Sequence, residues 1–390
     1  MSERTKLFGV KIANDYNSEA RVFSGLLRKR TDPIRAVVAY NSWGGDWAGV
    51  GRFRADSGAT SVAVDFGWRP NPDGRRSMAG RVYSRMRGLA AQPKLLRLAR
   101  RFNPDVVYSS QQHWDCGMAT TVARKLNVPQ VVHLHYRIGP WLRPGPLARL
   151  RACNHVVTVS DFIRDQVLAH GVPEDRVTTI RNTMPAASLA APGGRERVRA
   201  ELGIDERAVV VTIAARLAED KGHLDTLQAF QAAAGDDADA HLLIAGDGPY
   251  RAAIEEAVAT MGVRHRVHIL GFRSDVSDIL GASDIFAHPS FDDPCPLALL
   301  EAAAAGLPVV AYASGGAPEI VRDGLTGLLA PAGDAGQLGA HLRTLVTSPT
   351  ARASMGEEAR RRLTACFDPE DAGARFSELL QRVAGESARP

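Results

Sequence analysis

The sequence predicts an α/β protein made of two doubly wound, parallel-sheet domains, and three observations carry that expectation. The chain has 390 residues, more than one ordinary core needs and about right for two domains of roughly 150–200 residues. Short apolar strand patterns alternate with helical ones along both halves, as in Ile34–Tyr40, Ser61–Asp65 and Val106–Tyr108, which is the signature of repeated βαβ units. Glycine turns follow strands at Asn41–Asp46 and at Gly246-Asp247-Gly248-Pro249, where open α/β sheets place ligand-binding loops. Composition agrees with a globular chain, 45% hydrophobic and 23% charged. No apolar run is long enough to span a bilayer, and MSERTKLFGVKIANDYNSEAR lacks the apolar core of a secretory signal. The expectation is a cytoplasmic protein. Cys116, Cys153, Cys295 and Cys366 are scattered without paired spacing, so reduced thiols are expected rather than a disulfide framework or zinc site. A net charge of +5 favours phosphate-bearing ligands, anionic membranes or nucleic acid without choosing among them.

Residues 1–33 mix charges with isolated apolar residues and end at Thr31-Asp32-Pro33, so they read as an N-terminal extension. The first domain is expected over residues 34–183. Its first strand, Ile34–Tyr40, runs into Asn41-Ser42-Trp43-Gly44-Gly45-Asp46, a tight turn that serves packing or ligand approach. Between residues 69 and 101, arginines and lysines interleave with Val82, Met86, Leu89, Leu95, Leu96 and Leu98. This basic amphipathic stretch suits a solvated face with its apolar side in the core, the preferred reading, or a face lying on anionic lipid. In the strand Val131–His135, His133 and His135 share a face, and His135 stands at the strand end, where ligand-binding groups sit. His133 reads as structural. Arg137, Trp141 and Arg143 follow in a loop that could meet a phosphate or a ring.

Small residues, proline and glycine over 184–206 read as a linker, and 207–365 as the second domain. That domain opens with the strand Ala208–Ala214, followed by Ala215-Arg216-Leu217-Ala218-Glu219-Asp220-Lys221-Gly222. Later strands, His241–Ala245 and Val267–Gly271, lead to Gly246, Gly248, Phe272 and Arg273. Asp237-Ala238-Asp239 sits in the polar turn before His241 and reads as solvent-exposed, so no metal site is expected. The most informative stretch is FAHPSFDDPCPLALLEAAAAGLPVVAYASGGAPEI, residues 286–320. Its strand ends in a proline-stiffened loop, because proline lacks the ladder donor. Pro296 suits a helix start, and Gly306-Leu307-Pro308 stops that helix. Asp293 before the helix and Glu301 in its early turns frame an opening whose free N–H groups attract an anion. A sugar joined to phosphate fits that frame. Gly324-Leu325-Thr326-Gly327 reads as a hairpin-like turn, residues 334–365 as helices, and 366–390 as a final helix with Phe376, Leu379, Leu380 and Val383 at helical spacing.

An acidic residue and a glutamate eight positions apart, followed by AAAAGLPVVAYASGGAPEI, resemble the E-x7-E motif of retaining glycosyltransferases of family four. Two departures stand out: Asp293 replaces the usual glutamate, and Pro296 replaces a glycine. Ser160-Asp161, Asn182-Thr183 and the Arg216–Gly222 loop are similar to further family features, so the likeness runs from residue 34 to 385. It implies the GT-B architecture, two Rossmann-like domains facing each other across a cleft, with a last helix crossing back to the first. The function implied is metal-independent transfer of a sugar, with retention, from a nucleotide sugar (UDP, GDP or another) to an acceptor hydroxyl. No other cofactor is implied, and nucleic acid is not expected as a partner. Arg216 and Lys221 would take the diphosphate, because charge growing on the leaving group needs fixed cations where no metal cage is evident. Asp293 would bind sugar hydroxyls and Glu301 the ribose. Gly246, Gly248, Phe272, Arg273, Cys295 and Leu297 would line the donor site. His135 resembles a histidine that touches the donor sugar, with Tyr136 in place of an aspartate. Gly44, Gly45 and Arg137 would face the acceptor, whose identity stays open. A sugar-nucleotide epimerase and a non-catalytic nucleotide-sugar binder are the alternatives, and peripheral contact with the inner membrane face is a further expectation from the basic stretch.

Overall fold

A computed structural model describes residues 5–11, 17–28, 34–42, 47–66, 78–110, 114–139, 142, 144–185, 191–234 and 239–387. The chain divides into two compact units, Met1–Asn182 with Pro369–Pro390, and Thr183–Asp368. Strands of the first are β1 (Lys6–Lys11), β2 (Arg35–Asn41), β3 (Thr60–Val64), β4 (Val106–Ser109), β5 (Gln130–Leu134), β6 (His155–Thr158) and β7 (Val177–Thr179). They form one parallel sheet in the order β3-β2-β1-β4-β5-β6-β7. The order reverses between β1 and β4. The strands β4, β5 and β6 are buried throughout, because helices cover both faces of a parallel sheet and leave no polar side to alternate with.

The reading of residues 1–33 as an extension is corrected here. Lys6–Lys11 pairs with β2 on one side and β4 on the other, and Leu7 and Phe8 are fully buried. The helix Ser18–Leu27 follows, with Asn17 accepting from the Ala20 N–H at 3.0 Å as its N-cap. The helix Pro369–Ser387 packs against it in the same unit. There Phe376 meets Tyr108 edge-on at 5.8 Å.

The second unit carries β8 (Val209–Ala214), β9 (Ala240–Ala245), β10 (Val267–Gly271), β11 (Ile285–His288), β12 (Val309–Tyr312) and β13 (Gly327–Ala330). They form a parallel sheet in the order β10-β9-β8-β11-β12-β13, reversing between β8 and β11. Its core shows the strand period of two. Val211, Ile213, Leu242 and Ile244 pack with Leu227, Phe230 and Leu338 on one face, while Val210 and Leu243 pack with Val198, Ile204 and Ile279 on the other. Two expectations change. Residues 324–326 form the expected turn, but Gly327 then opens a parallel edge strand beside β12 rather than a hairpin arm, and the expected linker contains the helix Gly194–Leu202, whose Val198 belongs to the core.

Arg199 of that helix shows why the segment is structural. Its guanidinium is buried and donates to the carbonyls of Ala282 (3.0 Å), Asp205 (2.8 Å) and Ala208 (3.0 Å) and to the Asp284 carboxylate (2.8 Å). Asp284 also accepts from the Val210 N–H at 2.8 Å. Arg199→Ala removes a buried guanidinium that serves three carbonyls and the partly buried Asp284 carboxylate at once, so a loss of about 3–5 kcal/mol of stability is expected. A urea-unfolding midpoint close to that of the parent would refute this.

Candidate active site

In open α/β sheets the crevice beyond the carboxyl ends of the strands, at the point where strand order reverses, is where ligands settle. In the second unit that point lies between β8 and β11. The loop after β8 ends at Gly222, whose backbone is left-handed (φ 68°) and where an added Cβ would stand 2.1 Å from the carbonyl of Pro289. Only glycine lets the β8 and β11 loops meet so closely. Gly246 and Gly248, after β9, are pressed in the same way against the carbonyls of Ala215 and Leu217, so these two glycines hold the Arg216 loop in place. Gly316, after β12, donates its N–H to the Asp293 carbonyl at 2.9 Å. Loops from four neighbouring strands thus brace one another.

At the centre of this frame the Lys221 ammonium donates to the Asp293 carboxylate at 2.8 Å and lies 3.4 Å from Ser290 Oγ. Both side chains are mostly covered, at 18% and 24% exposure. The buried His288 places Nε2 3.9 Å from the same carboxylate. Burial pushes its pKa down to about 4, against the pull of Asp293, so the ring is neutral at pH 7. His288 was not singled out from sequence, although a histidine closing a strand before Pro289 is the same signal that drew attention to His135. Cys295 is buried and Pro296 caps the helix Leu297–Ala305, with half-buried Glu301 one turn inside it.

The corresponding reversal point of the first sheet, between β1 and β4, holds a second polar cluster. Lys11 at the end of β1 is 3.4 Å from Glu19, both buried, and Ser110 Oγ donates to Glu19. Asp115, at the start of the helix Trp114–Leu126, is fully buried. Burial and the neighbouring Glu19 push its pKa up to about 8. His133 pairs with Tyr108 Oη through Nδ1 at 2.9 Å. The half-buried His135 ring lies 4.2 Å from that of His133, and its Nε2 is shielded from solvent. Desolvation and the Lys11 charge bring the His135 pKa down to about 3. Sequence does not point to Lys11, Glu19 or Asp115, because Lys11 and Glu19 lie where charges mixed with isolated apolar residues suggest an extension and Asp115 carries no motif.

Asp115 gives a pH test. Between pH 4 and 8 the folded chain keeps a proton that the unfolded chain has released, so this group makes stability fall as pH rises, by at most about 1.4 kcal/mol per unit. Asp115→Asn stays neutral and should lose that fall. Urea unfolding of both proteins at pH 5 and pH 8 reads the difference, since titrating groups away from this cluster contribute alike to both. A constant gap between the two curves would rule out the raised carboxyl.

The family model described as "Glycosyl transferases group 1" matches residues 194–362, and the one described as "Glycosyltransferase Family 4" matches residues 58–186. The chain belongs to the family-four glycosyltransferases. This glycosyltransferase is 27% identical to the 2-deoxystreptamine glucosyltransferase of Streptomyces kanamyceticus over 77% of its own length and 83% of that protein. It is 26% identical to the sulfoquinovosyl transferase SQD2 of Arabidopsis thaliana, over 70% of its length and 56% of SQD2. A GDP-mannose-dependent phosphatidylinositol monomannoside mannosyltransferase of Corynebacterium glutamicum is 32% identical over 49% of this chain and 52% of that one. The matched region thus spans little more than half of the last two. Among solved structures, Anabaena HepE with UDP superposes at a TM-score of 0.81 with 20% identity, covering 97% of this chain and all of that one. Sucrose-phosphate synthase of Thermosynechococcus elongatus superposes at 0.76 with 17% identity, covering 98% and 100%. The fold is GT-B.

Of the residues expected to act in this glycosyltransferase, Lys221 and Asp293 are brought into contact, with Gly246 and Gly248 supporting the Arg216 loop beside them. Arg216 itself projects outward, 66% exposed, and comes only to 3.9 Å of Asp220. Leu297 is half-buried at the start of its helix. Phe272, just after β10, is 82% exposed. Arg273, expected on the donor side, pairs with Asp275 at 2.8 Å and with Glu201. That ion pairing ties the Gly194–Leu202 helix to the loop after β10, a packing role that sequence spacing does not disclose. Arg137 is exposed after β5. Gly44, Gly45, Trp141, Arg143 and the Asp237-Ala238 pair lie outside the described residues.

Proposed function

We propose that this glycosyltransferase moves a hexose-like unit, with retention and without a metal ion, from a nucleoside-diphosphate sugar on the second unit to an acceptor hydroxyl on the first. The observation that carries this reading is the Lys221–Asp293 contact at the β8/β11 reversal. Lys221 puts a fixed positive charge where a departing diphosphate gains negative charge, and stabilising that charge is the largest catalytic need of the reaction. Asp293 beside it accepts hydrogen bonds from sugar hydroxyls, and Glu301 serves the ribose. Exposed Arg216 is free to swing onto the diphosphate. The leaving phosphate oxygen takes the acceptor proton, so each broken bond has its partner: the C–O bond to phosphate breaks, the C–O bond to the acceptor forms, and the proton passes from acceptor to phosphate.

HepE has been crystallised with UDP and with UDP-glucose, while the Corynebacterium relative is named for GDP-mannose. The nucleoside diphosphate is the shared part, and the base is left to experiment. On the first unit, His135 at the end of β5 supplies a neutral ring. No described helix is long and apolar enough to cross a membrane.

The test is incubation with UDP- and GDP-sugars and a panel of polyol and glycolipid acceptors. A transferase releases nucleoside diphosphate in step with glycosylated product. Isomerised nucleotide sugar would instead mark an epimerase, and donor binding without turnover of any kind a binding protein; either result would overturn the proposal.

A further inference from the structure

The helix Met78–Phe102 of the first unit contains seven arginines and lysines and no aspartate or glutamate. Its apolar residues divide in a way the sequence pattern does not show. In its C-terminal half Ala91, Leu95 and Ala99 are buried in the sheet core, as expected. In its N-terminal half Met78, Val82, Met86 and Leu89 face solvent, at 82%, 54%, 65% and 58% exposure. The expectation that the apolar side of this stretch lies in the core therefore fails for half the helix. At 100° per residue those four side chains fall on one stripe, well away from the buried face. Continued toward the C-terminus, the same stripe meets exposed Arg97 and Arg100. Tyr83, 40% exposed, flanks it.

A soluble surface seldom shows four large aliphatic side chains in a row without a partner. We propose that this stripe is a docking surface for an anionic lipid bilayer, into whose interface Met78, Val82, Met86 and Leu89 insert while the arginines meet lipid phosphates. Charge decides among occupants. A second copy of this chain would bring two purely basic helices face to face, which like-charge repulsion disfavours. A nucleic acid would use the arginines but gain nothing from an aliphatic stripe, whereas basic residues around an apolar face are what an interfacial helix needs. The inference does not depend on the donor chemistry. It says where the enzyme works, at a membrane surface, and so favours a lipid-linked acceptor over a freely diffusing one.

The experiment is co-sedimentation of the full chain with vesicles of phosphatidylcholine alone and of equal parts phosphatidylcholine and phosphatidylglycerol. Binding should be about tenfold stronger to the anionic vesicles and weaken with salt. The double variant Met86→Ser/Leu89→Ser, exposed and so expected to keep the parent's thermal midpoint, should lose about tenfold in binding. Arg97→Gln/Arg100→Gln should lose binding to the anionic vesicles and little else. Absence of binding to either vesicle, binding that ignores the serine variant, stripe-dependent self-association in sedimentation velocity, or preference for an RNA oligonucleotide over vesicles would each overturn the proposal.

Discussion

Lys221→Ala should lower kcat by about 10²–10³ with a donor that the parent turns over, the usual cost of losing one group aimed at developing charge. Stability should fall by about 1.5–3 kcal/mol, because the Lys221–Asp293 pair is mostly covered and Asp293 loses a charge-assisted hydrogen bond. The ammonium has a firm position because two loops meet under it: Gly222 presses against Pro289, and Ser290 lies within 3.4 Å. A cation already placed costs no reorganisation when the diphosphate departs. KM for the donor should rise less than kcat falls, since a group that acts mainly on the transition state is lost mainly from turnover. Arg216→Ala, on an exposed side chain, offers the contrast of a cation that must move to reach its target. If Lys221→Ala folds normally and keeps kcat within about threefold of the parent, the leaving-group role is gone.

The second unit was the more legible in sequence, for a physical reason. Its loops at the sheet's reversal point are short and punctuated by glycine and proline, so residues 286–320 announce strand, loop, helix and strand in one stretch, and the positions of Asp293 and Glu301 follow from local geometry alone. What sequence does not show there depends on distant partners: Glu201 beside Arg273, and the buried carbonyls around Arg199. The first unit hid more. β1 is only six residues long, is bracketed by Lys6 and Lys11, and carries Gly9 in its middle, each a mark against a strand. Yet Gly9 is there because Val38 leaves no comfortable room, with an added Cβ 3.2 Å from its Cγ2, and Lys11 is charged because Glu19 waits for it. Missing β1 meant missing the reversal point of that sheet, and with it the whole Lys11–Glu19–Asp115 cluster. The exposed half of the Met78–Phe102 helix was hidden in another way: periodicity shows that a face is apolar and leaves open what covers it.

Asp293→Glu tests whether the shortened carboxylate is a fitted feature or a relic. Aspartate stands at the first acidic position of the E-x7-E motif that this stretch resembles, and lengthening it by one methylene would restore the motif's glutamate. Restoration should nevertheless reduce transfer. The Asp293 carboxylate already reaches Lys221 at 2.8 Å, with His288 Nε2 3.9 Å away on a buried ring. An extra methylene must push one of these aside or move the loop. The loop is not free to move: the Gly316 N–H holds the Asp293 carbonyl at 2.9 Å, and a Cβ on Gly316 would stand only 2.0 Å from the Pro294 carbonyl. Pro294 and Pro296 stiffen the same turn. Overfilling a braced site costs about 1–3 kcal/mol, which corresponds to a loss of roughly 5–150-fold in kcat/KM when it falls on transition-state contacts. The measurement is kcat/KM for parent and Asp293→Glu across a panel of UDP- and GDP-sugars, side by side. A decayed or loose pocket would accept the longer side chain with equal or higher activity on every donor, and that outcome would end the case for a pocket shaped around aspartate.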